Sequence, residues 1–165
     1  MKTLNLTQGK IALVDDEDYE NLNQWKWFAF KAPNTWYAVR SYYDKVAKKN
    51  YTIRLHRQIM NCVKGDDKLI DHADMDGLNC QKYNLRIATK SQNNANRRNI
   101  KLKSSKYKGV SWCNTSKKWK VQISIDNKVI HIGRYETEKE AALKYNEKAI
   151  ELHKEFANLN TIENE

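Results

Sequence analysis

The 165-residue chain suffices for two small domains with modest cores, and its formal charge of +10 and pI of 9.4 point to a polyanionic partner, of which nucleic acid is the commonest. Cys62, Cys80 and Cys113 are widely spaced and form no CxxC pair, which argues against a zinc ribbon and against a secreted disulfide framework. No apolar run is long enough to cross a bilayer, and the first residues lack the apolar stretch of a signal peptide, so a reducing, intracellular setting without membrane is expected.

The charge is spread along the chain. Residues 1–100 carry 17 basic and 11 acidic side chains, and residues 101–165 carry 13 and 9. Five Trp and nine Tyr indicate folded structure rather than a basic tail. In residues 1–50, Lys10–Val14 reads as a strand, and Asp15–Glu20 as an acidic helix start suited to the N-terminal dipole. Lys26–Lys31 and Trp36–Tyr43 read as aromatic strands joined by turn chemistry at Ala32-Pro33-Asn34-Thr35, so a small sheet is expected. Residues 95–106 are basic and rich in Ser and Asn, and read as a linker able to follow a phosphate backbone.

The region 51–98 holds an ordered set of chemical residues: Leu55-His56-Arg57, then Asp71-His72 with Asp76-Gly77, then Asn84-Leu85-Arg86 running to Asn93. Phosphodiester cleavage requires an activated water and neutralisation of charge on the phosphate and leaving oxygen. Imidazole titrates near neutrality and suits a general base, while carboxylate and amide oxygens suit a hard cation. This set resembles the HNH nuclease motif as found in phage and intron-encoded homing endonucleases. The resemblance implies a strand, loop, strand, helix arrangement (the ββα-metal fold) with His72 as base, Asn84 as the structural Asn, and Asp71 and Asn93 as metal ligands. Asn93 stands where many relatives carry the last His of the motif, which favours Mg2+ or another hard cation such as Mn2+ over a zinc-loving site. His56 is expected to pack in or brace the nuclease core. Arg57, Arg86, Arg97 and Arg98 are candidate phosphate contacts. Asp74 and Asp76, spaced wrongly for a calcium loop, are expected to shape the turn between the two strands.

In residues 107–158 the pattern predicts three strands and a helix. Trp119, Val121, Ile123 and Ile125 fall on one face of a strand, with Lys120, Gln122 and Ser124 on the other. Asp126-Asn127 predicts a tight turn into a strand whose outer residues are Val129 and His131. Thr137-Glu-Lys-Glu140 is a capping box, and Ala141, Tyr145, Ala149 and Leu152 recur at helical spacing. Tyr107-Lys-Gly-Val110, Trp112, Trp119, Ile132-Gly133, Tyr135 and Glu140-Ala-Ala with Tyr145 resemble the plant ethylene-response-factor (Apetala-type) DNA-binding domain. That family presents a three-stranded antiparallel sheet, packed on one helix, to the major groove. Lys120, Gln122, Ser124 and His131 are the expected DNA contacts, with Lys108 and Trp112 joining them.

The expectation is therefore an α+β chain. Residues 1–98 form an N-terminal sheet region and HNH nuclease domain, 99–106 a basic linker, and 107–158 a DNA-gripping domain. The expected activity is metal-dependent hydrolysis of double-stranded DNA by a monomer in the cytoplasm of a bacterial or phage-infected cell. The alternatives are a non-cleaving DNA-binding regulator derived from such a nuclease and, third, an RNA-directed protein, which the lack of paired aromatics on the sheet disfavours.

Overall fold

The computed structural model describes residues 1–63, 65–97 and 104–162. Arg98 and most of the expected linker lie outside these residues. The chain divides into two compact units, Met1–Ala88 and Thr89–Glu165. Both mix small antiparallel sheets with helices, four α-helices in all among the described residues, in agreement with an α+β chain.

The first unit opens with β1 (Lys2–Asn5) paired antiparallel with β2 (Ile11–Val14), which sends Leu4, Ala12 and Val14 into the core. Helix α1 (Asp16–Asn23) follows, with Asp16, Glu17 and Asp18 in its first turn, where the helix dipole favours negative charge. Leu22 anchors it to the core, and its carbonyl accepts a bond from the buried Trp27 Nε1 at 2.9 Å. Strands β3 (Phe28–Lys31), β4 (Trp36–Asp44) and β5 (Lys49–Arg54) form a meander, with Ala32 N donating to Thr35 O across the first turn. Helix α2 (Leu55–Ile59) buries Leu55 and Ile59, four residues apart on one face, in the same core. Strand β6 (Leu69–His72) then pairs antiparallel with β7 (Leu85–Ala88), joined by a loop over 73–84. Backbone bonds from Leu13 N to Leu78 O and from Cys80 N to Leu13 O stitch that loop to β2.

The second unit begins with α3 (Lys90–Asn96), whose capping box is complete: Gln92 N donates to Thr89 Oγ1 and Thr89 N to Gln92 Oε1. The end of α3 is fastened within its own unit. Lys108 Nζ donates to Ala95 O and Arg97 O, and Asn158 Nδ2 to Asn96 O. Strands β8 (Val110–Cys113), β9 (Lys118–Ile125) and β10 (Lys128–Tyr135) form one antiparallel sheet with β9 central. Asp126 and Asn127 both have positive φ, at 48° and 62°, as a two-residue hairpin turn of type I′ demands. Helix α4 (Glu138–His153) starts at Thr137, whose hydroxyl accepts from Glu140 N at 3.1 Å. Its buried Ala141, Tyr145 and Ala149 meet Val110, Val121 and Ile123. The fit depends on Gly109 at φ +76°, where a Cβ would stand 2.1 Å from the Tyr145 ring.

Candidate functional site

Strand β6 ends on Asp71 and His72, and both residues are 5% exposed. Titratable groups buried side by side are costly unless partnered. Asp71 is paired across the ladder with Arg86, whose Nε and Nη2 each lie 2.8 Å from Asp71 Oδ2. His72 is walled by two other rings. The His56 ring stands edge-on at 4.9 Å between centroids, and Tyr37 lies 5.9 Å away. Burial holds the His72 pKa below the ordinary imidazole value, outweighing the upward pull of Asp74, Asp71 and Asp76. His72 is therefore neutral near pH 7 and able to accept a proton. Cys80 Sγ lies 3.9 Å from His72 Nε2, and burial first of all pushes that thiol up to about 12, so it stays uncharged.

Asn84 is 1% exposed and ties the loop behind the pair. Its Nδ2 donates to Asp74 Oδ1 at 2.9 Å and Asn79 O at 2.8 Å, its Oδ1 accepts from Asp74 N at 3.0 Å, and its carbonyl accepts from Ala73 N. Asp74 also accepts from Asp76 N and Asn79 Nδ2, while Asp76 accepts from Leu78 N. These Asx-type bonds shape the turn. The Asp15 side chain makes no capping bond to α1 and instead accepts from Lys82 N at 2.7 Å and Gln81 Nε2 at 3.1 Å. The acidic cluster thus pins the chain just ahead of β7.

A hard divalent cation needs oxygen donors, and Asp71 meets that need. Arg86 Nε and Nη2 converge on one oxygen of that carboxylate, so a cation and the guanidinium would compete for it. Among the described residues no three His, Cys, Asp or Glu side chains gather as a metal cage. A cation at Asp71 would complete its shell from amide, phosphate or water oxygens.

His56, 4% exposed, does pack in the core of the first unit, and its Nδ1 is buried without a hydrogen-bond partner. Its pKa is pushed down to about 3, chiefly by burial and further by His72, Arg54 and Arg57. Arg57 donates to Lys68 O, Val63 O, Asp66 O and Asp66 Oδ1, so its guanidinium clamps the segment before β6. It also lines a groove of about 1200 Å³ with Arg40, Arg54, Tyr42 and Tyr51, away from Asp71 and His72. Asn93 is half-buried on α3 of the second unit, and Arg97, exposed, ends that helix.

On the second unit's sheet the register pairs Lys120 with Ser111 and Arg134, Gln122 with His131, and Ser124 with Val129. Paired residues share a face, so these form the side opposite the buried Val121 and Ile123. Two expected members are placed elsewhere. Trp112 pairs with Trp119, their rings edge-on at 5.1 Å, on the Val121 side; the turn at Gly109 sets that phase. Lys108, its pKa brought down to about 8 by burial first, spends its ammonium on the carbonyls that end α3. Sequence reading missed Arg134, because a bulge between His131 and Gly133 resets the alternation and brings it to the outer face. It also missed Tyr37 and Cys80, which reach His72 from distant segments with no local motif to announce them.

No family model matches the chain, and no solved structure matches it. The chain is similar to a curated protein described as an uncharacterized HNH endonuclease of Acanthamoeba polyphaga mimivirus, with 34% identity over 148 residues, 82% of this chain and 76% of that protein. No helix among the described residues is long and apolar enough to cross a membrane. At that identity and coverage the chain belongs to the HNH endonuclease family.

Proposed function

We propose that the protein is a metal-dependent endonuclease of the homing type that hydrolyses phosphodiester bonds in double-stranded DNA, with the second unit selecting the site. The single observation that carries this reading is the buried Asp71–His72 pair at the end of β6, with an imidazole kept neutral by burial and a loop braced by Asn84. His72 takes the proton from the attacking water. Asn84 fixes the loop that follows His72, and the Tyr37 and His56 rings fix the plane of its imidazole. Asp71 would hold a hard cation such as Mg2+ or Mn2+; Asn93, which the HNH resemblance implies as a metal ligand, belongs to the second unit. Bound there, the cation supplies charge neutralisation on the phosphate and leaving oxygen.

The second unit is read as an ethylene-response-factor-like module. A three-stranded sheet backed by α4 presents Lys120, Gln122, Ser124, His131 and Arg134 outward, where Gln can pair with adenine and Lys or Arg with guanine or phosphate. The test is cleavage of supercoiled plasmid carrying DNA from the source genome, with Mg2+ and with EDTA. Mg2+-dependent nicking or linearisation supports the enzyme. Tight binding without cleavage in any divalent metal replaces it with a DNA-binding regulator.

A further inference from the structure

Arg86 is matched to Asp71, whereas a phosphate-binding arginine would be expected to face solvent. Its Nε and Nη2 each lie 2.8 Å from the same carboxylate oxygen, and the two residues are direct partners in the β6–β7 register. The side chains are 21% and 6% exposed, so the pair is shielded from the solvent that weakens surface ion pairs. An ionised carboxylate at that depth needs a counter-charge, and Arg86 provides it. A divalent cation on Asp71 would then sit beside a guanidinium of like sign, so the two positive charges oppose each other.

We propose that Arg86 is an exchangeable counter-ion for Asp71: it holds the carboxylate in place before the cation arrives and weakens cation binding, and when the cation takes Asp71 the guanidinium exchanges that carboxylate for the phosphate of the substrate. This rests on the proposed assignment of Asp71 as a cation ligand. Arg86 is thus a positioning residue before loading and a substrate contact after it. A lone carboxylate in the same pocket would bind a cation more tightly but lack a positive group to hand on to the phosphate. Lysine at this position keeps the charge without the fork that places two donors on one oxygen.

The experiment is a Mn2+ titration of the full chain without DNA, followed by electron paramagnetic resonance, on wild type, Asp71→Asn, Arg86→Gln and Arg86→Lys, with circular dichroism to establish that each is folded. Cleavage at saturating Mn2+ is measured on the same preparations. The proposal expects Mn2+ to bind wild type, about tenfold tighter binding by Arg86→Gln, affinity near wild type for Arg86→Lys, and slower cleavage by Arg86→Gln despite its tighter metal. Equal or weaker Mn2+ binding by folded Arg86→Gln overturns the exchange while leaving the nuclease reading intact. Tighter binding with unchanged cleavage overturns the phosphate step. Wild type that binds no Mn2+, or binds it as well as Asp71→Asn does, overturns the metal assignment itself and the proposal with it.

Discussion

The sheets of the two units place their polar residues differently. In the first, Asp71 and His72 at the end of β6 are buried, as are Asn79 and Asn84 of the hydrogen-bonded 73–84 loop that follows. In the second, the core is Val110, Val121, Ile123, Tyr145 and small alanines, and the polar residues of the sheet lie on its outer face. Buried polar groups cost stability unless every bond is made, so a fold keeps them where chemistry needs a dry, fixed geometry. Exposed polar residues on a sheet backed by a helix cost little and are free to meet a partner. The contrast teaches that burial fixes the Asp71–His72 pair in the first unit, while the second unit leaves the polar side chains of its sheet on an outer face.

The sharpest way to break the contrast is at Asn84. Replacing it with Ala leaves donors and acceptors of the 73–84 loop without partners, and should lower stability by about 3 kcal/mol and cutting with it; urea denaturation that shows no loss removes the argument for a braced site. Next is Gly109→Ala, which forces a Cβ against Tyr145 at positive φ and should cost about 2 kcal/mol, read as a lower urea midpoint with altered Trp fluorescence. A third effect is pH dependence from His56. Its folded pKa near 3 lies below the ordinary 6.5, so the unfolded chain binds the proton first. The stabilising contribution is whole above pH 6.5 and declines as pH falls toward 3, about 2 kcal/mol by pH 5. His56→Phe should flatten that decline in a pH series of denaturation curves. The smallest effect separates the two faces of the second sheet: Gln122→Ala should weaken DNA binding by about 1 kcal/mol, while Trp112→Phe leaves affinity within about twofold. Fluorescence anisotropy on one duplex reads both, and the reverse pattern would reassign the binding face.

Much of this was legible in the sequence because local patterns carried it. The alternation of Trp119 to Ile125, the Asp126-Asn127 turn and the Thr137 cap each determine their own element, and the structure has all three. The spacing of Asp71, His72 and Asn84 marked the loop that the structure ties together. Strand β1 went unrecognised because four residues with one inward Leu give too short a pattern, and only pairing with β2 defines it. The phase of β8 was illegible because it follows the positive-φ turn at Gly109, and Arg134 was hidden by a bulge that no residue type announces. The grip of Arg86 on Asp71 depends on the β6–β7 register, which a 12-residue loop over 73–84 leaves open in sequence.

The most direct test of the account is His72→Ala set beside wild type on one plasmid, with cleavage in Mg2+ and DNA affinity measured on the same preparations. The account predicts that cleavage falls by about 10²- to 10⁴-fold while affinity is unchanged, because the proton acceptor is removed and the binding face is untouched. Undiminished cleavage by a folded His72→Ala protein would contradict the assignment of the buried imidazole as the base.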